Sequence, residues 1–438
     1  MKKYHIITFG CQMNKSDSER IVAVFEHLNC SSVDAPEEAD VVVVNSCSVR
    51  QAPIDRVWGL LKIFDEIKLK REISVILTGC ILPEDKIKFE KRYDFVFDIK
   101  ELNLLEKYLT QSGATPASRL TGDGTEQQLY TDENYFSVLP KSSSKYKAFV
   151  PIMTGCNNYC SYCAVPYVRG REESRSVKEV LSEANHLVAN GAKEVTLLGQ
   201  NVNSYAPADL ESFSKANPFH QPFAKLLWEV NQIDNIDRIG FLSSHPKDLH
   251  DDIIQAFSLP KMSNYLHLAL QSGDNQVLEK MNRKYTIEDY EKLISKLRQV
   301  RPDIAIGTDI IVGFPGETVQ QFENTLKAFD RIQFDIAYHA MYSPRSGTTA
   351  DKLEDDVSQE EKRRRWHQFQ DQMKKIVLLN NQKYVGQKVS VLIDTVEDDY
   401  VEGNSREMKR VQIKNSGAQI GDIVEVEVKK AREWVFYG

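Results

Sequence analysis

The stretch Cys156-Asn157-Asn158-Tyr159-Cys160-Ser161-Tyr162-Cys163 puts three thiols into one short loop, directly after the strand-like run Phe149 to Met153. Of everything in the 438 residues, this spacing most narrows the possible folds. A metal centre carried by one loop needs a rigid strand behind it, and α/β architectures bind their ligands at such carboxyl ends. A structural zinc site takes a complete tetrahedral set of paired ligands, and no fourth cysteine or close histidine follows Cys163. Three thiolates instead suit a four-iron cluster with four corners, leaving one iron open to a further ligand.

The surrounding pattern is α/β. Before the loop, Tyr4 to Phe9, Val41 to Val44 and Ile73 to Leu77 are β-branched or aromatic runs separated by helical patterns, which predicts an open parallel sheet. Ser16-Asp17-Ser18-Glu19 reads as a capping box opening a helix through His27. From Ala148 to Tyr342 six strand-like runs recur: Phe149 to Met153, Val195 to Leu198, Arg238 to Leu242, Tyr265 to Leu270, Ile306 to Val312 and Asp335 to Met341. Six βα units fit an incomplete TIM-like barrel better than an open sheet, and both put ligands at the carboxyl ends of strands. A charged helix from Ser358 to Asn381 leads to alternating runs at Val389 to Ile393, Arg410 to Ile413 and Ile423 to Val428, which predict a small antiparallel, OB-like β-barrel. The expected division is 1–115, a connector rich in Ser, Thr, Gly and acids at 116–141, then 142–375 and 376–438.

Composition restricts the setting. Hydrophobic residues at 41% and charged residues at 27% describe a soluble globular chain. No apolar run reaches the roughly 18 residues of a membrane helix. The run from Tyr4 to Cys11 mimics a short signal peptide, but it falls short of an apolar region of roughly 7–15 residues, so a cytoplasmic protein without a membrane role is expected. Seven cysteines in a reducing compartment point to metal or redox chemistry. A net charge of −7 gives no global attraction for nucleic acid, so RNA contact requires local patches. The candidates are Arg169, Arg171 and Arg175; the run Lys362-Arg363-Arg364-Arg365; and Arg406, Lys409, Arg410 and Lys414, near Tyr400 and Trp434. Each patch also reads as an ordinary solvated face.

Each of the three N-terminal runs is followed closely by a cysteine: Cys11, Cys47 and Cys80. If their strands are neighbours, these thiolates converge and a second three-cysteine cluster follows; the plain alternative is three unrelated buried thiols. Cys30, after a helix-like segment, reads as structural. The amino and carboxylate groups of S-adenosylmethionine can chelate an open iron, bringing the sulfonium to where an electron cleaves it. Candidate contacts to that cofactor are Tyr162, Gln200, Asn201, Ser243, Gln271 and Val312, with Arg283 as partner for its carboxylate. Taken singly, these are weak signals, since polar residues after strands are ordinary, and Arg283 equally reads as a surface arginine. No catalytic residue beyond the cysteines stands out.

Gly10-Cys11-Gln12-Met13-Asn14 and the run Gly155 through Arg175 (GCNNYCSYCAVPYVRGREESR) resemble the methylthiotransferase family of radical S-adenosylmethionine enzymes, a likeness that extends over essentially the whole chain. Residues from about 380 onward are similar to that family's TRAM domain, although Gly403-Asn404-Ser405-Arg406 stands where a Gly-Arg-Thr-like turn is more usual. Gln12-Met13-Asn14 and the VPYVRGRE stretch resemble the branch acting on N6-isopentenyladenosine. The resemblance implies two [4Fe-4S] clusters. Cys156, Cys160 and Cys163 would hold the radical-generating one; Cys11, Cys47 and Cys80 would hold an auxiliary, sulfur-carrying one. It further implies conversion of N6-(dimethylallyl)adenosine 37 of tRNA to the 2-methylthio derivative, one S-adenosylmethionine giving the methyl group and another the radical. The implied partners are the tRNA anticodon stem-loop, an electron donor protein and a sulfur source. Methylthiolation of N6-threonylcarbamoyladenosine 37 is the alternative within the family. An iron–sulfur electron carrier or an RNA-binding protein is the alternative outside it.

Overall fold

Four consecutive valines, Val41 to Val44, leave no polar face to turn towards water, so a strand built from them must be covered on both sides. In the computed structural model, which describes residues 2–49, 51–113, 135–414 and 416–438, it is. Strands β1 (Lys3–Thr8), β2 (Ser31–Ser32), β3 (Val41–Cys47), β4 (Ser74–Cys80) and β5 (Phe95–Val96) form a parallel sheet in the order β2-β1-β3-β4-β5. Four helices cover it: α1 (Gln12–His27), α2 (Gln51–Lys68), α3 (Pro83–Phe89) and α4 (Leu102–Gln111). Val41 and Val43 pack with Phe25 of α1 and Leu105 of α4, while Val42 and Val44 pack with Val57 of α2 and Phe89 of α3. Cys30 is buried in the first of these cores.

The helix expected to open at Ser16 begins instead at Gln12, with Cys11 as its N-cap and no side-chain cap. Ser16 to Glu19 are spent elsewhere. The Ser16 hydroxyl accepts from Arg20, Asp17 pairs with Arg169, Ser18 bonds Thr8 and Asn45, and Glu19 accepts from Ser143. A polar quartet in mid-helix that looks like a cap is therefore a docking face, which local sequence cannot distinguish.

The second unit contains β6 (Lys147–Pro151), β7 (Met153–Thr154), β8 (Glu173–Ser174), β9 (Glu194–Leu198), β10 (Arg238–Phe241), β11 (Tyr265–His267), β12 (Ala305–Val312) and β13 (Ile336–Met341). β6, β9 and β10 form one parallel sheet and β11, β12 and β13 another. Parallel bridges Ile239↔Met262 and Ser244↔Leu268 join the two in chain order. Between the strands lie α5 (Val165–Val168), α6 (Val177–Ala189), α7 (Pro222–Gln232), α8 (Asp251–Ala256), α9 (Asn275–Lys280), α10 (Ile287–Val300) and α11 (Val319–Ile332). Reciprocal capping boxes Ser176/Glu179, Thr286/Asp289 and Thr318/Gln321 start α6, α10 and α11, satisfying N–H groups that a helix end leaves orphaned. The run Tyr265 to Leu270 pairs as a strand only to His267: the Leu270 N–H goes to the Thr308 hydroxyl, and Gln271 takes a φ of 72°.

The last unit follows α12 (Gln359–Gln382), whose first turn is capped by Ser358. It comprises β14 (Lys388–Val396), β15 (Tyr400–Ser405), β16 (Arg410–Lys414), β17 (Ile423–Glu427), β18 (Lys430–Ala431) and β19 (Phe436–Tyr437). The order is β17-β14-β15-β16-β19-β18, antiparallel except at β16–β19. β15, with the sequence Tyr-Val-Glu-Gly-Asn-Ser, lacks an apolar run and was not among the expected strands. Residues 116–134 of the expected connector lie outside the described residues; beyond them, Tyr135–Ser137 form a buried turn, and the Tyr135 hydroxyl donates to Asp17. Among the described residues no helix is long and apolar enough to cross a membrane.

The first two units meet across charges that water does not reach. Arg20 of α1 binds both Glu183 oxygens of α6 at 2.8 Å, and Arg175 reaches the same carboxylate at 2.9 Å. Removing one member of a buried set leaves the others desolvated and unpaired. Glu183→Gln should therefore cost about 3–5 kcal/mol of stability in urea denaturation. Breaking the part-exposed Arg71–Asp40 pair by Arg71→Ala should cost no more than about 1 kcal/mol.

Candidate metal and cofactor site

β1, β3 and β4 are adjacent, so the N-terminal cysteines come together from parallel strand ends. Cys47 and Cys80 are register partners on β3 and β4. Cys11 follows β1 at the start of α1. Gly10, at φ 131°, allows the close passage: a Cβ there would lie 2.6 Å from Asn14 Oδ1 and 3.0 Å from Cys47 Cβ. Behind the thiols, Asn14 Nδ2 donates to Asn45 Oδ1 and Ser46 O, and Asn45 Nδ2 returns a bond to Asn14 O. The Cys11 thiol reaches Asn14 Oδ1 at 3.5 Å. A mutual hydrogen bond holds the Cys47 thiol low and pushes Cys80 well above the usual thiol range, while burial and the neighbouring Cys80 raise Cys11.

The loop from Cys156 to Cys163 follows β7 and is tied down from several directions. Gly155, at φ 80°, runs so close to Arg171 O that a Cβ would overlap it at 1.9 Å. Asn282 Nδ2 donates to Tyr159 O at 2.9 Å, Lys247 Nζ to Asn158 Oδ1 at 2.7 Å, and Ser161 Oγ to Lys280 O at 2.8 Å. Burial above all, with the other cysteines' charges added, pushes the Cys163 thiol up to about 12 and Cys156 to about 11. Arg283 is buried, not a surface arginine: Nη1 donates to Cys160 Sγ at 3.3 Å, Nη2 to Ala269 O at 2.7 Å, and Nε to the Tyr285 hydroxyl at 2.9 Å. The Tyr162 hydroxyl lies 3.4 Å from the same Nη1.

The other named residues fall unevenly around this loop. Gln200 Oε1 and Asn201 Oδ1 are buried without partners at the end of β9, while Asn201 Nδ2 is held by Asp248 at 2.8 Å. Gln271 and Val312 are buried. Ser243 is exposed in left-handed backbone at φ 67°. Its neighbours carry what it lacks, since Ser244 Oγ and His245 Nε2 are buried and unpartnered, as are both side-chain atoms of Asn203. The segments containing these residues were legible as strand ends, but the face each residue takes was not. Burial, then Arg283 and Lys247, depress His245 to about 2, so it stays neutral. Its Nδ1 accepts from the Lys247 N–H, which leaves the proton on Nε2.

Most of the basic residues considered for RNA contact are engaged within the protein. Arg169 and Arg175 are buried, Lys362 pairs with Asp355, Arg364 with Glu361 and Arg365 with Glu317. Arg406 donates to Asp237 O and Pro260 O, Lys409 pairs with Asp335, and Arg410 with Asp394 and Glu402. They fasten helices and units together, a role that a linear charge count cannot reveal.

Among the described residues no group of three His, Cys, Asp or Glu side chains is gathered tightly enough for a single metal ion. A cluster with each thiolate on its own iron corner makes a different demand, and two sets of three soft sulfur donors at strand ends match it in chemistry. The unpartnered buried atoms of Gln200, Asn201, Asn203, Ser244 and His245 suit a polar ligand beside the Cys156 loop, because buried polar groups ordinarily have partners.

Residues 150–329 match the family described as the Radical SAM superfamily, and residues 3–98 match uncharacterized protein family UPF0004. A tRNA-2-methylthio-N(6)-dimethylallyladenosine synthase of Caldicellulosiruptor saccharolyticus is 40% identical over 99% of this chain and 92% of its own length. Proteins of the same name from Clostridium novyi and Acetivibrio thermocellus are each 38% identical over 100% of this chain and 96% and 90% of theirs. Among solved structures, the radical S-adenosylmethionine methyltransferase TsrM of Kitasatospora setae superposes with a TM-score of 0.57 at 15% identity, covering 80% of this chain and 74% of that one. The cobalamin-dependent radical enzyme OxsB gives 0.51 at 11% identity, over 86% and 56%; at these identities the likeness is one of fold. If the two cysteine sets are independent sites, replacing Cys11, Cys47 and Cys80 together with alanine should remove about half of the iron bound by the reconstituted chain. Iron analysis and 5′-deoxyadenosine formation check this, the latter persisting in the triple variant.

Proposed function

The chain belongs to the tRNA-2-methylthio-N6-dimethylallyladenosine synthase family, and we propose that it is a radical S-adenosylmethionine methylthiotransferase converting N6-(dimethylallyl)adenosine 37 of tRNA to 2-methylthio-N6-(dimethylallyl)adenosine. One observation carries this reading. The likeness to relatives of that name spans 99% of the chain, so it takes in both cysteine sets and the C-terminal strands. When bound, two [4Fe-4S] clusters and S-adenosylmethionine supply the electron, the radical, the methyl group and the sulfur.

The chain's own residues hold and orient these groups. Cys156, Cys160 and Cys163 would ligate the radical-generating cluster, and Cys11, Cys47 and Cys80 the auxiliary one. Arg283, donating to Cys160 Sγ, offsets thiolate charge that burial would otherwise disfavour. Gln200 Oε1 and Asn201 Oδ1 are acceptors suited to the cofactor's ammonium; Ser244 and the His245 Nε2–H are donors suited to its carboxylate or hydroxyls. Tyr162, Ser243, Gln271 and Val312 complete the surroundings of the loop.

We read the six parallel strands β6 and β9 to β13 as an incomplete TIM-like barrel and the C-terminal strands as a TRAM-type barrel, with units at 1–115, 142–375 and 376–438. The reaction belongs in the cytoplasm, where thiols stay reduced, with an electron donor protein and a sulfur source as outside partners. Since most of the basic candidates are engaged within the protein, exposed aromatics in and just after the cysteine loop are better suited to stack unpaired anticodon-loop bases: Tyr159, 46% exposed, and Tyr167, 44% exposed.

Two experiments test the proposal. Anaerobic reaction of the reconstituted chain with S-adenosylmethionine, reductant and isopentenylated tRNA should yield a new 2-methylthio nucleoside on digestion; a product found only with threonylcarbamoylated tRNA would overturn the substrate. Tyr159→Ala and Tyr167→Ala should each weaken anticodon stem-loop binding by about 1–3 kcal/mol in direct titration while leaving the iron content unchanged.

A further inference from the structure

We propose that Arg169, a side chain of the core unit, is a positioning residue for the Cys11–Cys47–Cys80 set: it donates to Cys80, presents a further N–H to the sulfur of the group that set holds, and raises the reduction potential of that group. The inference rests on reading the set as the auxiliary cluster site.

Arg169 ends α5, the helix that begins just after Cys163. Ala164 and Val168 of this segment pack in one apolar cluster with Cys47, Cys80 and Leu82. The short stretch from Cys163 to Arg169 thus links the two cysteine sets directly. The guanidinium is buried, with Nε donating to Cys80 Sγ at 2.8 Å and Nη2 to Asp17 Oδ2 at 2.5 Å. Asp17 also takes the Tyr135 hydroxyl, so its orientation is held from two sides. The remaining nitrogen, Nη1, is buried without a partner. A buried guanidinium N–H lacking an acceptor is costly, and sulfur bound at the neighbouring thiols would provide one.

Hydrogen bonds to sulfur and nearby positive charge favour the more electron-rich state of a cluster, and net charge is among the levers that set cluster potentials. Arg169 acts in that direction, and Asp17 moderates it. A lysine in its place has one ammonium group and no planar fork, so it cannot serve Cys80 and Asp17 in the same geometry.

The test uses the full chain with Cys156, Cys160 and Cys163 replaced by alanine, reconstituted anaerobically, its iron counted and its potential followed by electron paramagnetic resonance during a redox titration. This parent should retain about four irons. Adding Arg169→Gln should move the midpoint potential to a more negative value. Asp17→Asn should move it to a more positive one, and Arg169→Lys should fall between parent and Arg169→Gln. If Arg169→Gln does not retain iron, Asp17→Asn, which leaves Arg169 on Cys80, carries the test alone. Absence of iron from the parent overturns the cluster reading and this inference with it. Iron retained with unchanged potentials, or both substitutions shifting the potential in the same direction, overturns the role of Arg169 only.

Discussion

The structure depends on a seam of buried charge between α1 and the core. Arg20, Glu183 and Arg175 form one knot, and Asp17, Arg169 and Cys80 form another. An apolar interface of similar area tolerates sliding, whereas a desolvated ion pair displaced by an ångström loses its compensation at once. For two units that each carry a set of three cysteines, this sensitivity sets the register. The N-terminal sheet is anchored so that its strand-end cysteines face the helix leaving the other cysteine loop.

The same constraint accounts for the unusual composition of α1. Ser16, Asp17, Ser18, Glu19 and Arg20 are consecutive and all buried, although residues of these types belong mostly at surfaces. Ser16 accepts from Arg20 on the same helix, and the others find partners on the sheet through Thr8 and Asn45, on the segment entering the core through Tyr135 and Ser143, or on the core through Arg169 and Glu183. The third unit is attached by similar means. Arg238 donates to Asn404 O and Ser390 O, and Lys409, one of the basic residues expected to meet RNA, pairs with Asp335, so basic side chains hold the C-terminal sheet to the core. In the reading proposed above, binding of this acidic chain to tRNA falls less to bulk charge than to the exposed aromatics at the cysteine loop.

The thiols show how a site can be preorganised yet remain reactive towards metal. Burial opposes ionisation of Cys156 and Cys163, and the Cys47–Cys80 hydrogen bond eases ionisation of Cys47 while opposing that of Cys80. Ligation requires the thiolates, so cluster assembly releases protons and its free energy stabilises the fold that gathers the ligands. The bonds from Arg169 and Arg283 to cysteine sulfur supply positive charge that favours the ligated state.

Sequence by itself determined most element types, the parallel sense of the N-terminal sheet, the six core strands, and the position of every candidate cluster cysteine at or after a strand end. These follow from short-range causes, since periodicity, β-branching and turn residues act within a few residues of the chain. Only tertiary structure decided which polar side chains look inward. Ser16 to Glu19 have the residue types of a helix cap and form a docking face; Ser243 and Ser244 are neighbours, yet only Ser244 is buried without a partner. Arg169 and Arg283 belong to basic segments like several others, and a cysteine sulfur far away in sequence distinguishes each. A charged side chain's role is set by the partner that repays its desolvation, and here Glu183 for Arg20, Asp17 for Arg169 and Cys160 for Arg283 each lie more than a hundred residues away along the chain.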